Sequence, residues 1–316
     1  PAYNRVEEKR MKIKGSIAPN LTFFDVRGNI DEELTRWHMN WILQNGVNGL
    51  FVTGTYGSGY LMSPEQRGRI YEIARETADQ HANTFVIAHV GANDTATSVY
   101  LTKKAADTGL DAVSAINPYT FKYTDVELLG YYKALVDAAG NLPVFAYNNP
   151  DLTGKVIDYK MILKLQDIGI AAVKDSSINI QLATNIYNDN KLNGKSFQYI
   201  SGTTTGWLAF RKLGCDTMIA GVCNYAPELV SALYRISMGN DEVKAMKAYQ
   251  LVNSVSSKVK NGNSLLSSHI ALKARGFEAG FMKAPLVADY EAAADKMPAI
   301  AETIAHAVSE MKKLEC

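Results

Sequence analysis

The sequence predicts an α/β fold, a (β/α)8 TIM barrel with a C-terminal helical extension. Short apolar runs rich in β-branched residues alternate with longer amphipathic segments along most of the chain. The runs are continuously apolar, as expected for parallel strands that are covered on both faces. A doubly wound sheet is disfavoured, because the turn after the first run, Pro19-Asn20-Leu21-Thr22, lacks a glycine-rich phosphate-binding fingerprint.

The predicted strands are short and follow one another with helical segments between them. In chain order they are Ser16 to Phe24, Gly49 to Gly54, Thr84 to Val90, Ala112 to Ile116, Pro143 to Tyr147, Ile170 to Lys174, Gln198 to Ser201 and Thr217 to Ala220. The amphipathic segments between them include Asp31 to Gln44, Pro64 to Gln80, Ala96 to Thr108, Asp125 to Ala139 and Asp158 to Asp167. Eight such βα units predict a closed barrel.

After the last predicted strand the pattern becomes entirely helical. The segments are Pro227 to Gly239, Asp241 to Val259, Ser264 to Arg275 and Tyr290 to Met311. The first completes the barrel and the others are an addition, with no Pro-, Gly- or Ser-rich linker before them. We therefore predict a barrel over residues 1–239 and a helical extension packed on it over residues 240–316.

Composition points to small-molecule partners. Lys plus Arg number 33 against 32 Asp plus Glu, so no basic excess suggests nucleic acid or an anionic membrane. The cysteines, Cys215, Cys223 and Cys316, form no CxxC pair, and an odd count suits a reducing compartment. Pro1 to Arg10 is polar, and no apolar run approaches the roughly 18 residues of a membrane span. We expect a cytoplasmic protein.

In a TIM barrel the chemistry lies at the carboxyl ends of the strands. These ends are rich in Thr, Tyr, Ser, Asn and Gly but poor in metal ligands, with His89 as their one histidine. A single imidazole makes no metal site, so we interpret His89 as a hydrogen-bonded core residue. The sequence predicts neither a metal nor a cofactor.

The predicted sixth strand ends in a lysine. The run Ile170-Ala171-Ala172-Val173-Lys174 is apolar up to its last residue. Desolvation lowers the pKa of an amine and favours its neutral, nucleophilic form, which suggests a Schiff-base lysine. The alternative is a structural lysine whose stem lies along the core while its ammonium reaches water.

Two further strand ends carry polar groups. Gly54-Thr55-Tyr56-Gly57-Ser58-Gly59 follows the second strand, and its glycines allow a tight turn that presents N–H groups and a hydroxyl suited to a carboxylate. Tyr147-Asn148-Asn149-Pro150 ends the fifth strand. Because neighbouring strands lie about 4.8 Å apart, the Tyr147 phenol is predicted to reach a carbonyl bonded to Lys174.

Together these motifs resemble the pyruvate-dependent class I aldolases and lyases, which include dihydrodipicolinate synthase, N-acetylneuraminate lyase and 2-keto-3-deoxygluconate aldolase. The resemblance runs from about Lys14 to Pro285. It implies that Lys174 forms an imine with a 2-oxo acid, that Tyr147 carries protons and that Thr55 holds the carboxylate. It also implies a homotetramer built as a dimer of dimers.

Differences within the family narrow the expected reaction. Dihydrodipicolinate synthase-like proteins place an arginine where this chain has Leu152, so the clamp for a distal carboxylate is missing. Neuraminate lyase-like proteins resemble this chain in Pro150-Asp151-Leu152-Thr153-Gly154 but carry acidic residues where it has Thr203 to Thr205. Hydroxyls there suit a shorter polyol.

The nearest resemblance is to the keto-deoxy sugar acid aldolases. It rests on Leu50-Phe51-Val52-Thr53-Gly54-Thr55 with Ser63-Pro64-Glu65, on Ile116-Asn117-Pro118-Tyr119 and on Asn224-Tyr225-Ala226-Pro227-Glu228. The implied reaction is reversible cleavage of a 2-keto-3-deoxy sugar acid to pyruvate and a short aldehyde. The alternatives are neuraminate lyase, sugar-acid dehydratase or dihydrodipicolinate synthase chemistry on the same imine, and a sensor that binds a keto acid without turnover.

The predicted substrate-binding residues surround the same strand ends. They are Tyr56, Ser176, Thr204, Thr205, Gly221 and Tyr119. Three positions depart from the family pattern: Tyr56 replaces a small Thr or Ser, Ser58 replaces a frequent Glu, and Thr120 replaces a second tyrosine near the subunit interface. The family's Tyr-Thr-Tyr proton relay therefore lacks one phenol here, and Tyr119 is a possible substitute.

Overall fold

A computed structural model describes residues 13–260 and 262–315 and contains a closed barrel of eight parallel strands. Each strand pairs with the next along the chain, and β8 pairs with β1 through Gly15 and Thr217. The predicted (β/α)8 fold is confirmed. The strands are β1 (Gly15–Ala18), β2 (Gly49–Val52), β3 (Phe85–His89), β4 (Ala112–Ile116), β5 (Val144–Asn148), β6 (Ala172–Asp175), β7 (Gln198–Ser201) and β8 (Thr217–Ile219).

The first strand is shorter than the predicted Ser16 to Phe24, and the prediction is wrong beyond Ala18. Pro19 follows the strand and has no N–H group to donate to a ladder. Phe24 instead forms isolated antiparallel bridges with Ile30 and Phe281. The apolar residues of the segment after Ala18 are buried against the helices and do not belong to a barrel strand.

The helices agree with the amphipathic segments to within a few residues, and side-chain caps set several of their starts. Asp31 caps α1, while Ser63 with Gln66 forms a capping box at α2. The barrel helices are α1 (Glu32–Gln44), α2 (Pro64–Ala78), α3 (Thr95–Asp107), α4 (Asp125–Ala138), α5 (Pro150–Thr153), α6 (Tyr159–Asp167), α7 (Ile180–Asn193), α8 (Trp207–Lys212) and α9 (Pro227–Ser237).

Three further helices follow: α10 (Glu242–Val259), α11 (Ser264–Ala274) and α12 (Met297–Glu315). The predicted helix Tyr290 to Met311 is wrong at its start, because residues 290–296 form turns and a single 3-10 turn. Pro298 cannot donate an N–H and is best placed in the first helical turn, where α12 begins. α10 packs against α9 and α12. The domain boundary after residue 239 stays a prediction, and Pro1 to Arg10 and Cys316 lie outside the described residues.

The core has two layers. An inner cluster fills the barrel, and it consists of Ile13, Ile17, Phe51, Ile87, Ala112, Phe145, Ala172, Ile200 and Ile219. A larger cluster lies between the strands and the surrounding helices. Along β6, Ala172 belongs to the inner cluster and Val173 to the outer one, so the next residue, Lys174, faces inward. Across the described part of the chain, no helix is long and apolar enough to span a bilayer.

Candidate active site

Lys174 lies inside the barrel at the carboxyl end of β6 and is only 5% exposed. Its Nζ lies 4.0 Å from the centroid of the Phe51 ring and 3.9 Å from that of Tyr147. Burial lowers the pKa of Lys174 because the ammonium is desolvated, and Tyr147 offsets part of that effect. The amine is therefore almost wholly enclosed, in surroundings that favour its neutral form.

Tyr147 is the neighbour of Lys174 in the sheet, since their Cα atoms are paired between β5 and β6. Burial opposes ionisation of the phenol, yet the pKa of Tyr147 is lowered overall. Lys174 and the nearby side chains of Ser176, Asn149 and Thr55 favour the ionised form of the phenol. Asn149 Nδ2 donates to the Tyr147 hydroxyl at 3.0 Å. This phenol can accept and return a proton next to the amine.

Thr55 lies in a tight turn after β2. Thr53 and Ser58 adopt left-handed backbone conformations, with φ of 56° and 54°. A Cβ on Gly59 would come within 3.2 Å of Thr53 Cα and closer still to its carbonyl oxygen, so only glycine fits there. The turn folds back on the strand end and places the Thr55 hydroxyl near Tyr147.

Tyr56, which departs from the family pattern, extends across the barrel mouth to Gly221. A Cβ on Gly221 would come within 2.9 Å of Tyr56 Cε1 and closer to Cζ and the hydroxyl oxygen. Burial raises the pKa of Tyr56, and the nearby Ser264 side chain partly counters this effect. The phenol therefore occupies space that the missing side chain of Gly221 leaves free, and Ser264 of α11 contributes to the rim.

The loop after β6 is fixed by the buried carboxylate of Asp175. Its oxygens accept hydrogen bonds from Asn148 Nδ2 at 2.8 Å, from the Tyr199 hydroxyl at 2.8 Å and from the hydroxyl and N–H of Ser177. The N–H of Asn179 also donates to it at 3.2 Å. Because Asp175 follows Lys174 directly in the chain, these bonds fix the end of β6 beside the amine and link β6 to β5 and β7.

The remaining predicted binding residues differ in how deeply they are buried. The Ser176 side chain lies near Tyr147 and favours the ionised form of its phenol, and the Ser176 hydroxyl occupies space that Gly202 leaves free. Thr204 is buried after β7, whereas Thr205 is exposed and its N–H donates to the Thr203 hydroxyl. Tyr119 is half-buried, and burial raises its pKa. Of these residues, the structure brings Ser176 next to Tyr147, while Thr204 and Thr205 lie in the segment between β7 and α8.

His89 lies in the core beside the site. Its Nε2 accepts from the N–H of Ile116 at 3.3 Å, and burial together with the charges of Arg67 and Lys174 keeps its pKa well below the ordinary value. Arg67 itself is buried and donates to the carbonyl oxygens of His89 and Gly91. His89 is thus a hydrogen-bonded neutral histidine, as the sequence suggested. The described residues contain no group of three or more potential metal ligands.

Sequence reasoning missed four residues of this site. Phe51 contacts the Lys174 amine, and Asn149 donates to the Tyr147 hydroxyl. Arg67 supplies a buried cation, and Tyr60 supplies a second buried phenol. Strand periodicity could have indicated Phe51, because it is an inward-facing position of β2. Nothing in the sequence indicates where Tyr60 points.

The fold and the site define a (β/α)8 barrel protein with a buried lysine beside a buried tyrosine at the carboxyl ends of its strands. Comparison with known proteins identifies the family to which the chain belongs. Residues 12–305 match the Dihydrodipicolinate synthetase family, and the chain belongs to this family of pyruvate-dependent class I aldolases and lyases. The resemblance stated from the motifs is confirmed, and the protein is an enzyme rather than a sensor.

Individual relatives show similarity over most of the chain. A protein of Escherichia coli K12 named "Probable 2-dehydro-3-deoxy-D-pentonate aldolase" is 32% identical over 226 residues, which cover 71% of this chain and 74% of that protein. An uncharacterised DapA-like lyase of Halobacterium salinarum is 28% identical, over 87% of this chain and 88% of the relative. Among solved structures, the wild-type sialic acid aldolase of Ruminococcus gnavus superposes with a TM-score of 0.85 at 26% identity, over 94% of this chain and 99% of that one.

Proposed function

We propose that the protein cleaves a 2-keto-3-deoxy sugar acid, reversibly, to pyruvate and a short aldehyde. The observation that carries the proposal is the pair formed by Lys174 and Tyr147, an amine whose pKa burial lowers beside a phenol whose pKa is also lowered. A neutral amine attacks a carbonyl, and the phenol moves the protons that this chemistry requires. The reaction needs no cofactor.

In the first stage, the Lys174 nitrogen attacks C2 of the keto acid and forms a carbinolamine. Tyr147 gives its proton to the C2 oxygen, takes one proton from the nitrogen and passes that proton to the same oxygen, which leaves as water. The nitrogen keeps its other proton, so a C2=N iminium ion and the Tyr147 phenolate remain. Thr55, with the backbone N–H groups of Thr55 and Tyr56, is placed to hold the substrate carboxylate at the β2 turn. The carboxylate thereby fixes C2 in front of the amine.

In the second stage, Tyr147 accepts the proton of the C4 hydroxyl. The electrons of the C3–C4 bond move toward the iminium nitrogen, so that an enamine forms on Lys174 and the aldehyde departs. Protonation of C3 and hydrolysis by water then release pyruvate and restore the amine. The iminium group is the electron sink, which the uncatalysed cleavage lacks.

Features of the rim support a short polyol as the substrate. Leu152, at the position where a carboxylate clamp would lie, is 47% exposed and offers no charge. Thr203 to Thr205 offer hydroxyls after β7, and Tyr56 occupies part of the mouth near Gly221. The name of the Escherichia coli relative, an aldolase for a 2-dehydro-3-deoxy-pentonate, fits the same substrate class.

A substrate panel tests the proposal. Pyruvate release is measured with 2-keto-3-deoxygluconate, 2-keto-3-deoxypentonate and N-acetylneuraminate, using the wild type, Lys174→Ala and the exposed-lysine control Lys313→Ala. We expect release from the keto-deoxy sugar acids, and loss of release only in Lys174→Ala. Preference for N-acetylneuraminate, or water loss without pyruvate, would overturn the proposed substrate class.

The assembly and the domain boundary stay predictions. Light scattering on the purified protein tests the homotetramer that the resemblance implies. A dimer or monomer in solution would remove the dimer-of-dimers arrangement without affecting the chemistry at Lys174.

A further inference from the structure

Tyr56 is a large side chain at the barrel mouth, and the reaction proposed above uses only its backbone N–H. Its phenol runs from the turn after β2 to Gly221, where a Cβ would come within 2.9 Å of Tyr56 Cε1 and closer to the hydroxyl oxygen. Ile219 of β8 belongs to the inner cluster, so Gly221, two residues later, also lies on the inward side of the barrel. The ring therefore takes the place of a side chain that the end of β8 lacks.

The strand order gives the direction of the Tyr56 ring. β1 lies between β2 and β8, so the side chain passes over the carboxyl end of β1 to reach Gly221. A Cβ on Gly57 would come within 3.1 Å of the carbonyl oxygen of Asn20, the second residue after β1, so the turn itself lies against this strand end. The phenol thus covers the part of the mouth between β2 and β8.

Lys174 approaches the β2 turn from the opposite side of the barrel. Three strands separate β6 from β2 in either direction around the barrel. The Lys174 Nζ nevertheless lies 4.0 Å from the centroid of the Phe51 ring of β2, so the side chain reaches across the barrel axis. A line from Lys174 to the β2 turn therefore divides the mouth into two halves.

The two halves hold different side chains. The half formed by β3, β4 and β5 contains His89 and Tyr147, whose rings pack edge-on with their centroids 6.0 Å apart. The half formed by β7, β8 and β1 contains Gly221 and the phenol of Tyr56. Tyr147 and Tyr56 therefore face the dividing line from opposite sides.

These positions orient the keto acid, in a step that rests on the function proposed above. With its carboxylate at the β2 turn and its C2 at Lys174, the C1–C2 bond lies along the dividing line. C2 of the keto acid is trigonal, so its oxygen and C3 lie on opposite sides of that bond. Tyr147 gives its proton to the oxygen, which places the oxygen on the Tyr147 side and C3 on the Tyr56 side.

We propose that Tyr56 determines which 2-oxo acid the enzyme accepts, because its ring limits the space beside C3. The hydrogens on C3 of pyruvate, or of a 3-deoxy sugar acid, fit against the ring, whereas a methyl or hydroxyl group on C3 meets it. The C3–C4 bond points out of the plane of C2 toward the open mouth, so the aldehyde portion avoids the ring. Tyr56 is thus a specificity-determining residue that acts by excluding the wrong donor, and Gly221 is its complement.

Imine formation with two 2-oxo acids tests the proposal. Pyruvate and 2-oxobutyrate differ by one methyl group on C3, and sodium borohydride traps each imine, so mass spectrometry gives a rate constant of adduct formation for each acid. A packed pocket discriminates against one extra methylene by about 10–200-fold, so we expect the wild type to prefer pyruvate about 100-fold. Tyr56→Thr should lower this preference about tenfold or more. The matched control is Tyr56→Phe, which keeps the ring and should keep the preference to within about twofold.

Two further variants make the test independent of a folding defect in Tyr56→Thr. Gly221→Ala added to Tyr56→Thr should restore part of the preference, because the new methyl group refills space beside C3. Tyr56→Leu keeps an apolar side chain of intermediate size and should also lower the preference. Equal rates for the two acids in the wild type, or a preference unchanged in both Tyr56→Thr and Tyr56→Leu, would overturn the proposal. Absence of any adduct with pyruvate in the wild type would instead refute the aldolase function.

Discussion

Replacement of Gly221 by alanine should disturb the site through Tyr56. The new Cβ would lie 2.9 Å from Tyr56 Cε1 and nearer still to Cζ and the hydroxyl oxygen, whereas ordinary contacts begin near 3.4 Å. Since the hydroxyl oxygen is the nearest atom, the phenol must move by more than an ångström and shift relative to the nearby Ser264 side chain. Overpacking of this kind costs about 1–3 kcal/mol, so we expect a loss of that size in the free energy of unfolding and a higher KM for the keto acid.

Urea denaturation and pyruvate-release kinetics measure the two effects. The control is Gly130→Ala in α4, where an added Cβ meets nothing within 4 Å and the helix should gain up to about 1 kcal/mol. The double variant Gly221→Ala with Tyr56→Thr should recover much of the lost stability, because the clash partner is gone. If Gly221→Ala matches the wild type in stability and KM, or if the two changes are additive, the assigned position of Tyr56 is incorrect.

Three further predictions follow from single side chains. Tyr147→Phe should keep its circular dichroism spectrum but lose about 100-fold or more in kcat, and an unchanged rate would remove Tyr147 from the mechanism. Burial lowers the pKa of His38 and of His269 to about 4, so the unfolded chain binds more protons below pH 6.5 and stability should fall with acid. Each imidazole should contribute about 2 kcal/mol of loss between pH 7 and pH 5; equal urea midpoints at the two pH values would contradict this. Asp175→Ala leaves buried donors unpaired and should cost about 3 kcal/mol in unfolding free energy, a loss that a change below 1 kcal/mol would refute.

The sequence predicted the barrel because its signals are local and repeated. Continuous apolar runs and amphipathic segments each depend on residues close in the chain, and the eight units agree with one another. The predicted first strand was too long at its carboxyl end, because the apolar residues there pack against helices that are distant in the chain. Phe23 contacts His38 of α1 and His269 of α11 edge-on, so its burial reflects the helical layer rather than a longer first strand.

The site could be predicted in part for a similar reason. The ends of parallel strands converge, and alternate residues of a strand face inward, which is enough to bring Lys174 and Tyr147 together. The contact between Tyr56 and Gly221 joins residues far apart in the chain and depends on a missing side chain. Tyr60 depends on left-handed backbone at Ser58, a non-glycine residue, and no sequence pattern indicates that conformation.

The central claim is that Lys174 forms an imine with pyruvate. It is tested most directly by sodium borohydride reduction in the presence of pyruvate, followed by peptide mass spectrometry. We predict a reduced pyruvyl adduct on the peptide that contains Lys174, with no adduct in Lys174→Ala. Absence of an adduct in the wild type, or an adduct on another lysine, would contradict the account at its first chemical step.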